Sequence, residues 1–454
     1  MRYLLAAINA KYIHSNLGIY SLRRYAMERL GLGQKDEQGA AVGMEMVSEA
    51  AEGANRTKTV SEIQIDLGEY TINHQMDQIL QDIYRRKPDL IGISCYIWNI
   101  SYALDLVRDI HKVLPDADIW LGGPEVSYDA PELLTREPEV FGVMKGEGEE
   151  MFAGLLNCYR TLGCTVRSLW QNKDSDIQAY GIPAMERENK AGDFWQQMQK
   201  VAGLTYRRED GTVCDQPIRP VMDMSRIPFL YPSLDGFENR IVYYESSRGC
   251  PFGCSYCLSS VSRSVRFRSL PLVFAELQIF LDAKVPQVKF VDRTFNCNHK
   301  RTLALLHFLR THDNGVTNFH FEVAADLLNE AELAEIAAMR EGLVQLEIGV
   351  QSTNLQTIEA IDRTMNLEKL KKVVASVHSA GNVHQHLDLI AGLPYENLER
   401  FEQSFNDVYN MQPDQLQLGF LKVLKGSKMY QNAKEYGIVY TDTAPYEVLY
   451  TKWI

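Results

Sequence analysis

Three cysteines within eight residues are the most distinctive chemical feature of the sequence. The segment SRGCPFGCSYC places Cys250, Cys254 and Cys257 at positions i, i+4 and i+7. Three thiolates on one loop can hold three corners of an iron–sulfur cube, and Gly249 lets the backbone wrap closely around it. Zinc usually takes four ligands, commonly as two cysteine pairs, and no second CxxC or HxxxH follows this triplet. We therefore expect a [4Fe–4S] cluster whose fourth iron is open to a small molecule; structural or zinc-binding cysteines are the alternative.

The composition is that of a globular protein with two or three domains. Of the 454 residues, 45% are hydrophobic, and no stretch approaches the roughly 18 apolar residues that cross a bilayer. The start, MRYLLAAINAKYIHSN, lacks a small-residue cleavage site and is interpreted as a first strand rather than a signal peptide. The net charge of −12 argues against a nucleic-acid partner, because such a surface repels polyphosphate. We expect a cytoplasmic protein with reduced cysteines and no membrane association.

Residues 1–162 alternate between short apolar runs and amphipathic stretches, a pattern typical of parallel strands joined by helices. The expected strands are Arg2–Asn9, Val60–Leu67, Asp89–Tyr96, Asp118–Gly122 and Val140–Lys145. The expected helices are Leu17–Leu30, Asn73–Arg86, Ile100–Val113 and Glu149–Leu162. This order predicts an α/β fold with an open, doubly wound, Rossmann-like sheet. Residues 33–58, rich in Gly, Ala and Glu, are expected to form an exposed insertion.

Residues 163–240 are expected to form a connector, with a hairpin at Gly203–Asp215 followed by a proline-containing linker. Residues 241–425 then alternate again between strands and helices. The expected strands are Ile241–Ser246, Gln287–Val291, Asn318–Val323, Leu343–Val350, Val383–Ile390 and Gln415–Val423. Six βα units predict a partial (β/α)6 barrel, since a full eight-unit barrel needs about 250 residues. Residues 426–454 are expected to begin a further C-terminal domain that is cut short.

The cysteine triplet, with the aromatic Tyr256 before its third member, resembles the signature of the radical S-adenosylmethionine superfamily. The six βα units also match the partial barrel of that superfamily. The resemblance implies that Cys250, Cys254 and Cys257 bind the [4Fe–4S] cluster and that the open iron binds the amino and carboxylate groups of S-adenosylmethionine. It further implies that the reduced cluster cleaves this cofactor to a 5′-deoxyadenosyl radical.

Segments at the ends of the later barrel strands resemble the superfamily's contacts to S-adenosylmethionine. Asp292 ends the second strand, where the superfamily places its contact to the methionine amino group; a helix cap is the alternative. Glu322 is the polar residue at the end of the third strand, and Gln351 and Ser352 after the fourth would lie near the ribose. The fifth strand ends with an apolar residue and a glycine, which the superfamily places beside adenine. The expected S-adenosylmethionine-binding residues are therefore Tyr256, Asp292, Glu322, Gln351, Ser352, Ile390 and Gly392.

The first domain resembles the cobalamin-binding domain of cobalamin-dependent radical S-adenosylmethionine proteins. Ligands of doubly wound sheets bind at the carboxyl ends of the strands, and the loops LGGPE and KGEGEE follow the fourth and fifth strands. Small residues there let a flat corrin and its nucleotide tail approach the backbone. The expected cobalamin-binding residues are His14, Asn16, Gly122, Gly123, Gly146, Glu147 and Gly148. A domain that keeps this fold without the cofactor is the alternative, because fold alone does not give function.

His14 is the candidate cobalt ligand, but its loop departs from the family pattern. Mutase-type domains use DxHxxG, whereas NAKYIHSNLG has no Asp two residues before His14 and places Gly18 one position late. Many members of this branch leave cobalt without a histidine ligand, so we expect the same here, with His14 bonded to backbone. The opening NAKYIHSN and the ending PYEVLYTKW are most similar to an uncharacterised bacterial group that carries a C-terminal domain of unknown function.

The resemblance implies a radical S-adenosylmethionine enzyme that, with cobalamin, methylates or rearranges an unknown small-molecule or peptide substrate. An electron donor such as flavodoxin or ferredoxin would reduce the cluster. A methylthiotransferase shares the barrel but needs three further cluster cysteines in the first domain, where only Cys95 and Cys158 occur, both within expected core elements. A non-catalytic iron–sulfur or cobalamin sensor is the alternative of another class, and cleavage of S-adenosylmethionine would exclude it.

Overall fold

The computed structural model describes residues 1–10, 14–32, 63–171 and 184–453. These residues form two compact units. The N-terminal unit extends to Val221, and the second unit consists mainly of the chain from Tyr231 onward, together with His14 and Ser15. The insertion expected at about 33–58 lies outside the described residues. None of the helices in the described part of the chain is long and apolar enough to span a membrane.

A seven-stranded sheet, in the order β2-β1-β3-β4-β5-β6-β7, forms the centre of the N-terminal unit. Its strands are β1 Arg2–Asn9, β2 Gln64–Thr71, β3 Leu90–Ser94, β4 Asp118–Gly122, β5 Gly142–Met144, β6 Leu204–Arg207 and β7 Val213–Asp215. The first five strands are parallel. In β1 every residue after Arg2 is buried, as expected for a central parallel strand covered on both faces. The predicted doubly wound sheet is confirmed.

Helices cover this sheet. They are α1 Leu17–Leu30, α2 Met76–Arg86, α3 Ile100–Val113, α4 Ala130–Arg136, α5 Glu149–Leu162, α6 Val166–Gln171 and α7 Ala184–Met198. The helices α4, α6 and α7 are absent from the sequence prediction, which placed the last two within the connector. The second strand continues to Thr71, past the predicted end at Leu67, and pairs with β1 in unbroken register from Gln64. Residues 60–62 of the predicted strand lie outside the described residues.

The predicted hairpin at 203–215 does not belong to a free connector. Its strands β6 and β7 add to the sheet antiparallel, with Val143 of β5 opposite Thr205 and Thr205 opposite Asp215. Tyr206 is fully buried, and Lys145 forms an ion pair with Asp215. An edge strand exposes unpaired backbone groups, and the hairpin satisfies those of β5. The sheet therefore extends past the predicted domain end at residue 162.

The second unit is built around a six-stranded parallel sheet in the order β15-β14-β13-β12-β11-β8. Its strands are β8 Val242–Tyr244, β11 Gln287–Phe290, β12 Asn318–Val323, β13 Val344–Gln351, β14 His384–Ala391 and β15 Gln415–Phe420. Four short strands lie outside the sheet: β9 Ser247–Arg248, β10 Arg266–Phe267, β16 Val439–Tyr440 and β17 Val448–Tyr450. The two end strands of this sheet, β15 and β8, do not pair with each other. The sheet is therefore open, as the predicted partial barrel requires.

The barrel helices follow the strands in order. They are α8 Leu270–Asp282, α9 His299–Thr311, α10 Glu330–Ala337, α11 Leu355–Ala360, α12 Leu367–Ala380, α13 Leu398–Tyr409 and α14 Lys428–Asn432. Five of them begin at an asparagine whose side chain accepts a hydrogen bond from a backbone N–H of the first turn, namely Asn298, Asn329, Asn354, Asn366 and Asn397. Such caps fix where each helix begins, and hence the path of the loop that precedes it.

Residues 426–453, predicted to start a further domain, pack against the barrel unit. Met429 and Ile438 are buried in one apolar cluster with Leu393 and Leu421, which follow β14 and β15. The backbone N–H of Met429 also donates to the carbonyl of Ser255, 2.8 Å away. This segment therefore supports the same end of the sheet at which the cysteine loop lies.

Candidate active site

The three cysteines lie on one loop that two short strands close at its base. Strands β9 and β10 pair antiparallel, with Arg248 opposite Arg266. Gly249 follows β9 with a φ of +99°, and a Cβ at this position would overlap the carbonyl oxygen of Ser264. Only glycine adopts this conformation at such a close approach without strain. The sequence therefore folds the chain sharply just before Cys250.

The three thiols differ in their surroundings. Cys254 is buried, whereas Cys250 and Cys257 are partly exposed. The Sγ atom of Cys250 lies 3.4 Å from the hydroxyl of Thr294. Burial raises the pKa of the Cys254 thiol, and the guanidinium of Arg363 opposes that shift. The loop thus presents one buried and two partly exposed thiols, and none of them forms a disulfide.

Arg363 is a basic residue beside the cysteine loop that the sequence analysis missed. Its Nη1 donates to the hydroxyl of Tyr256 at 3.3 Å and lies 3.7 Å from Sγ of Cys254. Its Nη2 donates to the carbonyl of Gly349, and its buried Nε has no hydrogen-bond partner in the described part of the chain. A cation at this place stabilises thiolates. No motif marks Arg363, because it reaches the loop from a turn after α11.

The cysteine loop fits an iron–sulfur cluster better than a single metal ion. The loop offers three thiols, one fewer than the four ligands that a structural zinc ion usually takes. A cube instead distributes its thiolate ligands over different irons. Three thiols, a glycine turn that brings the backbone close, and a guanidinium with an unused donor meet the needs of such a cluster.

Asp292 follows β11 but does not face open space. It is 1% exposed. Its Oδ1 accepts from the backbone N–H of Ser246 at 2.7 Å, and its Oδ2 accepts from the hydroxyls of Ser246 and Ser247 at 2.6 and 2.7 Å. Burial raises the pKa of this carboxyl, and the serine hydrogen bonds counteract the shift. The geometry gives no support to the expected contact with the methionine amino group: Asp292 holds the segment that leads into the cysteine loop.

The other expected ribose and cofactor contacts divide into accessible and buried ones. Glu322, near the end of β12, is partly exposed, and its Oε2 lies 3.9 Å from Arg293. Gln351 ends β13 at an irregularity in the register, with a φ of +71°. Ser352, by contrast, is fully buried, and its hydroxyl donates to Oε1 of Glu396 at 2.6 Å. Ser352 is therefore a packing residue in this structure, and the sequence did not indicate its carboxylate partner.

Tyr256 and Ile390 are brought together although they are far apart in the sequence. Both pack against the apolar cluster that contains Leu393 and Leu421. Gly392 follows β14 with a φ of +89°. The expected adenine contacts at the end of the fifth barrel strand thus share a surface with the aromatic residue of the cysteine loop.

In the N-terminal unit the two glycine loops follow β4 and β5, at the carboxyl ends of these parallel strands. Gly123 has a φ of +113°, and a Cβ there would overlap the carbonyl oxygen of Cys95 after β3. Gly146 has a φ of +79° and is exposed, and Gly148 immediately precedes α5. Together with Gly122 and the partly exposed Glu147, they leave backbone accessible at this edge of the sheet.

His14 and Asn16 belong to different units of the chain. Asn16 caps α1, and its side-chain amide donates to Oδ1 of Asn9 at 2.9 Å. His14 belongs to the barrel unit, where it forms a parallel bridge with Ile241 and stacks on the ring of Tyr243 at 4.5 Å. Its Nδ1 lies 2.9 Å from the carbonyl of Ser15. The expectation that His14 bonds to backbone agrees with this contact.

Comparison with known protein families matches both units. The family model of the B12 binding domain matches residues 3–156, and that of the radical SAM superfamily matches residues 244–408. The chain is a radical S-adenosylmethionine protein with a B12-binding domain. The resemblance predicted from the cysteine triplet and the glycine loops is confirmed, and so is the predicted order of the two domains.

Relatives of this radical S-adenosylmethionine protein include methyltransferases. It is 25% identical to an uncharacterized methyltransferase of Pyrococcus horikoshii over 78% of this chain and 71% of that protein. It is 23% identical to the cobalamin-dependent radical SAM methyltransferase TokK of Streptomyces tokunonensis over 71% of this chain, but the match spans only 45% of TokK. TsrM of Kitasatospora setae, a radical S-adenosylmethionine methyltransferase solved with cobalamin and a [4Fe–4S] cluster bound, has the same fold. Its TM-score is 0.68 at 14% identity, covering 98% of this chain and 79% of TsrM.

The B12-binding domain also carries an exposed aromatic pair that the sequence analysis missed. Trp98 is 42% exposed and stacks on Tyr96 at 4.5 Å with an interplanar angle of 5°. Its indole N–H donates to the carbonyl of Ile8 at 3.3 Å, which fixes the ring between the ends of β1 and β3. The strand order reverses between these two strands, and doubly wound sheets bind ligands at such a point. The segment CYIWN after a buried strand could have indicated this pair.

Proposed function

We propose that this protein is a cobalamin-dependent radical S-adenosylmethionine methyltransferase that acts on a small molecule or a peptide. The observation that carries the proposal is the three-thiol loop, which directly follows the first strand of an open parallel barrel. The same chain matches the B12-binding family over its N-terminal third. Rearrangement of a carbon skeleton is the competing reaction.

In this proposal Cys250, Cys254 and Cys257 hold the cluster, and Arg363 offsets the negative charge of the thiolates. When bound, the reduced cluster supplies the electron that cleaves S-adenosylmethionine, and methylcobalamin supplies the methyl group. The remaining residues bind and orient. Tyr256, Glu322, Gln351, Ile390 and Gly392 are the proposed contacts of S-adenosylmethionine, since each lies at or after the end of a strand or on the cysteine loop.

The proposed corrin site is the carboxyl edge of the N-terminal sheet. The glycine loops at 122–123 and 146–148 expose backbone there, and the exposed ring of Trp98 offers a flat apolar surface. We propose that cobalt receives no imidazole from His14, because that ring stacks on Tyr243 of the barrel unit.

The proposal includes a partner and a location. A cluster that must be reduced needs a one-electron donor, and flavodoxin or ferredoxin is the proposed class. All eight cysteines are free, which suits a reducing compartment such as the cytoplasm.

The test is to purify the full chain without oxygen, reconstitute it with iron, sulfide and hydroxocobalamin, and record its absorption spectrum and cofactor content. We expect both an iron–sulfur and a corrinoid spectrum, and release of 5′-deoxyadenosine when a reductant and S-adenosylmethionine are added. Retention of both cofactors without any cleavage of S-adenosylmethionine would favour the sensor. Cleavage without any retained corrinoid would refute the cobalamin part of the proposal.

A further inference from the structure

The concave face of the barrel sheet is lined by ionisable side chains. Tyr244 packs on Phe280 of α8 at 5.6 Å, and Phe290 packs edge-to-face against Tyr244 on the same side of the sheet. This side therefore faces the helices, and the alternate residues of each strand face the barrel interior. We call the interior set the polar lumen; it comprises Lys289, His320, Glu322, Glu347, His386 and Asp388.

Within the polar lumen, Glu347 is the best-compensated carboxylate. Its Oε2 accepts a hydrogen bond from Nζ of Lys289 at 2.8 Å, and Nε2 of His320 lies 3.0 Å from the same oxygen. Although burial raises its pKa, these two neighbours lower the pKa of Glu347 to about 2. Its other oxygen, Oε1, accepts no hydrogen bond from the described residues.

The other two carboxylates of the polar lumen are less well paired than Glu347. Glu322 accepts no hydrogen bond from any described side chain; its nearest cation, Arg293, is 3.9 Å away and half exposed. Oδ1 of Asp388 lies 3.1 Å from Nε2 of His386, but neither atom has a hydrogen bond of standard geometry. His386 is 7% exposed, so this contact lies in the interior rather than in bulk water, and Asp388 raises the pKa of His386. Burial raises the pKa of Glu322, and the charges of Glu347 and Asp388 raise it further.

The carboxylate oxygens that have no hydrogen-bond donor indicate the chemistry of the ligand. An ionised carboxylate can only accept hydrogen bonds, and one that is withdrawn from water without a donor is costly. On the interior strand positions, three carboxylates face one permanent cation, Lys289, and two histidines that are cations only when protonated. A ligand that carries N–H donors and positive charge therefore fits the acceptors that have no hydrogen bond, whereas a carboxylate or a hydrocarbon would leave them unpaired.

We infer that the substrate presents a protonated amine to the polar lumen, where Asp388 and Glu347 receive it. The inference rests on the proposed function, since it assigns the substrate class of that same barrel. S-adenosylmethionine also carries an ammonium group, and the test must separate the two sources.

The experiment uses the full chain with its reconstituted cluster, saturated with S-adenosylmethionine. Three four-carbon probes of matched size, butylammonium, butyrate and butanol, are compared by saturation-transfer NMR. Butylammonium should bind about tenfold or more tightly than the other two. Asp388→Asn and Glu347→Gln should each remove a charged acceptor and weaken butylammonium binding by about 10- to 150-fold. Glu402→Gln, which removes an exposed carboxylate from the outer helix α13, is the matched control and should change nothing.

Three outcomes would overturn the inference. Butyrate could bind as tightly as butylammonium, or both lumen variants could bind butylammonium as the control does. Alternatively, S-adenosylmethionine could displace butylammonium and lose affinity in the same variants by the same factor, which would assign the cation site to the cofactor. Near-ultraviolet circular dichroism of each variant checks that it is folded, and Asp388→Glu should restore probe binding. Probe binding needs no turnover, so failure of S-adenosylmethionine cleavage would count against the proposed function alone.

Discussion

Replacing Asp292 with asparagine distinguishes a support of the cysteine loop from a direct contact to S-adenosylmethionine. The carboxylate accepts three hydrogen bonds, two of them at Oδ2 from the hydroxyls of Ser246 and Ser247. Hydrogen bonds to charged groups contribute about 1.5–3 kcal/mol each, so losing the two at Oδ2 sets an upper bound of about 3–6 kcal/mol. We expect a net cost of about 2–3 kcal/mol, because the hydroxyls can turn to accept from the new amide and the neutral side chain avoids the desolvation that raises the pKa of Asp292.

That cost should appear as opening of the segment that enters the cysteine loop. A change of 2–3 kcal/mol corresponds to about 30- to 160-fold in the opening equilibrium, and iron should pass to a chelator faster by up to this factor. The fraction of Asp292→Asn that retains its cluster should bind S-adenosylmethionine within about threefold of wild type. Asp313→Asn is the control, since it breaks an ion pair with Arg340 outside the cysteine loop. A stable cluster combined with S-adenosylmethionine binding weakened about 10- to 150-fold would show that Asp292 contacts S-adenosylmethionine directly.

Three further predictions follow from single positions. Gly249→Ala should strain the backbone by about 1–3 kcal/mol and force its Cβ toward the carbonyl of Ser264, so the iron bound per chain after reconstitution should fall; full iron content would contradict this. His14→Ala should leave the paramagnetic resonance spectrum of bound cobalamin unchanged, whereas loss of a nitrogen coupling would identify an imidazole ligand. The pKa of Glu347 is lowered from 4.5 to about 2 in the folded protein, so it contributes about 3 kcal/mol above pH 4.5 that is lost as the pH falls toward 2. Urea unfolding of the barrel unit between pH 6 and pH 3 should therefore depend less on pH in Glu347→Gln, and an unchanged pH dependence would contradict the assignment.

The alternation of strands and helices was predictable because it depends on local patterns. Apolar runs such as Arg2–Asn9 become central strands, and the glycines before and within the cysteine triplet indicate its tight loop. The place of the hairpin β6–β7 was not predictable, since it depends on which strand edge lacks a partner. Short helices such as α4 carry too little periodicity to be recognised.

Site residues that belong to a local sequence motif could be predicted. Residues whose role depends on tertiary contacts could not. Spacing alone predicts the three cysteines as the candidate cluster ligands. The burial of Asp292 and Ser352 depends on Ser246 and Glu396, which are distant in the sequence. Arg363 reaches the loop from beyond the fourth barrel strand, so no local pattern could indicate it. The carboxylates of the polar lumen become a group only through the register of β12, β13 and β14.

In the proposed active site, Cys250, Cys254 and Cys257 hold a cluster whose remaining iron binds S-adenosylmethionine. Electron–nuclear double resonance on the reduced protein, with S-adenosylmethionine isotopically labelled at its amino nitrogen and carboxylate, tests this claim directly. We predict hyperfine coupling from both labelled groups in the wild-type chain. The variant with Cys250, Cys254 and Cys257 all replaced by alanine should show no iron–sulfur signal. A wild-type signal without coupling to either label, or a cluster signal that survives in the triple variant, would contradict the account.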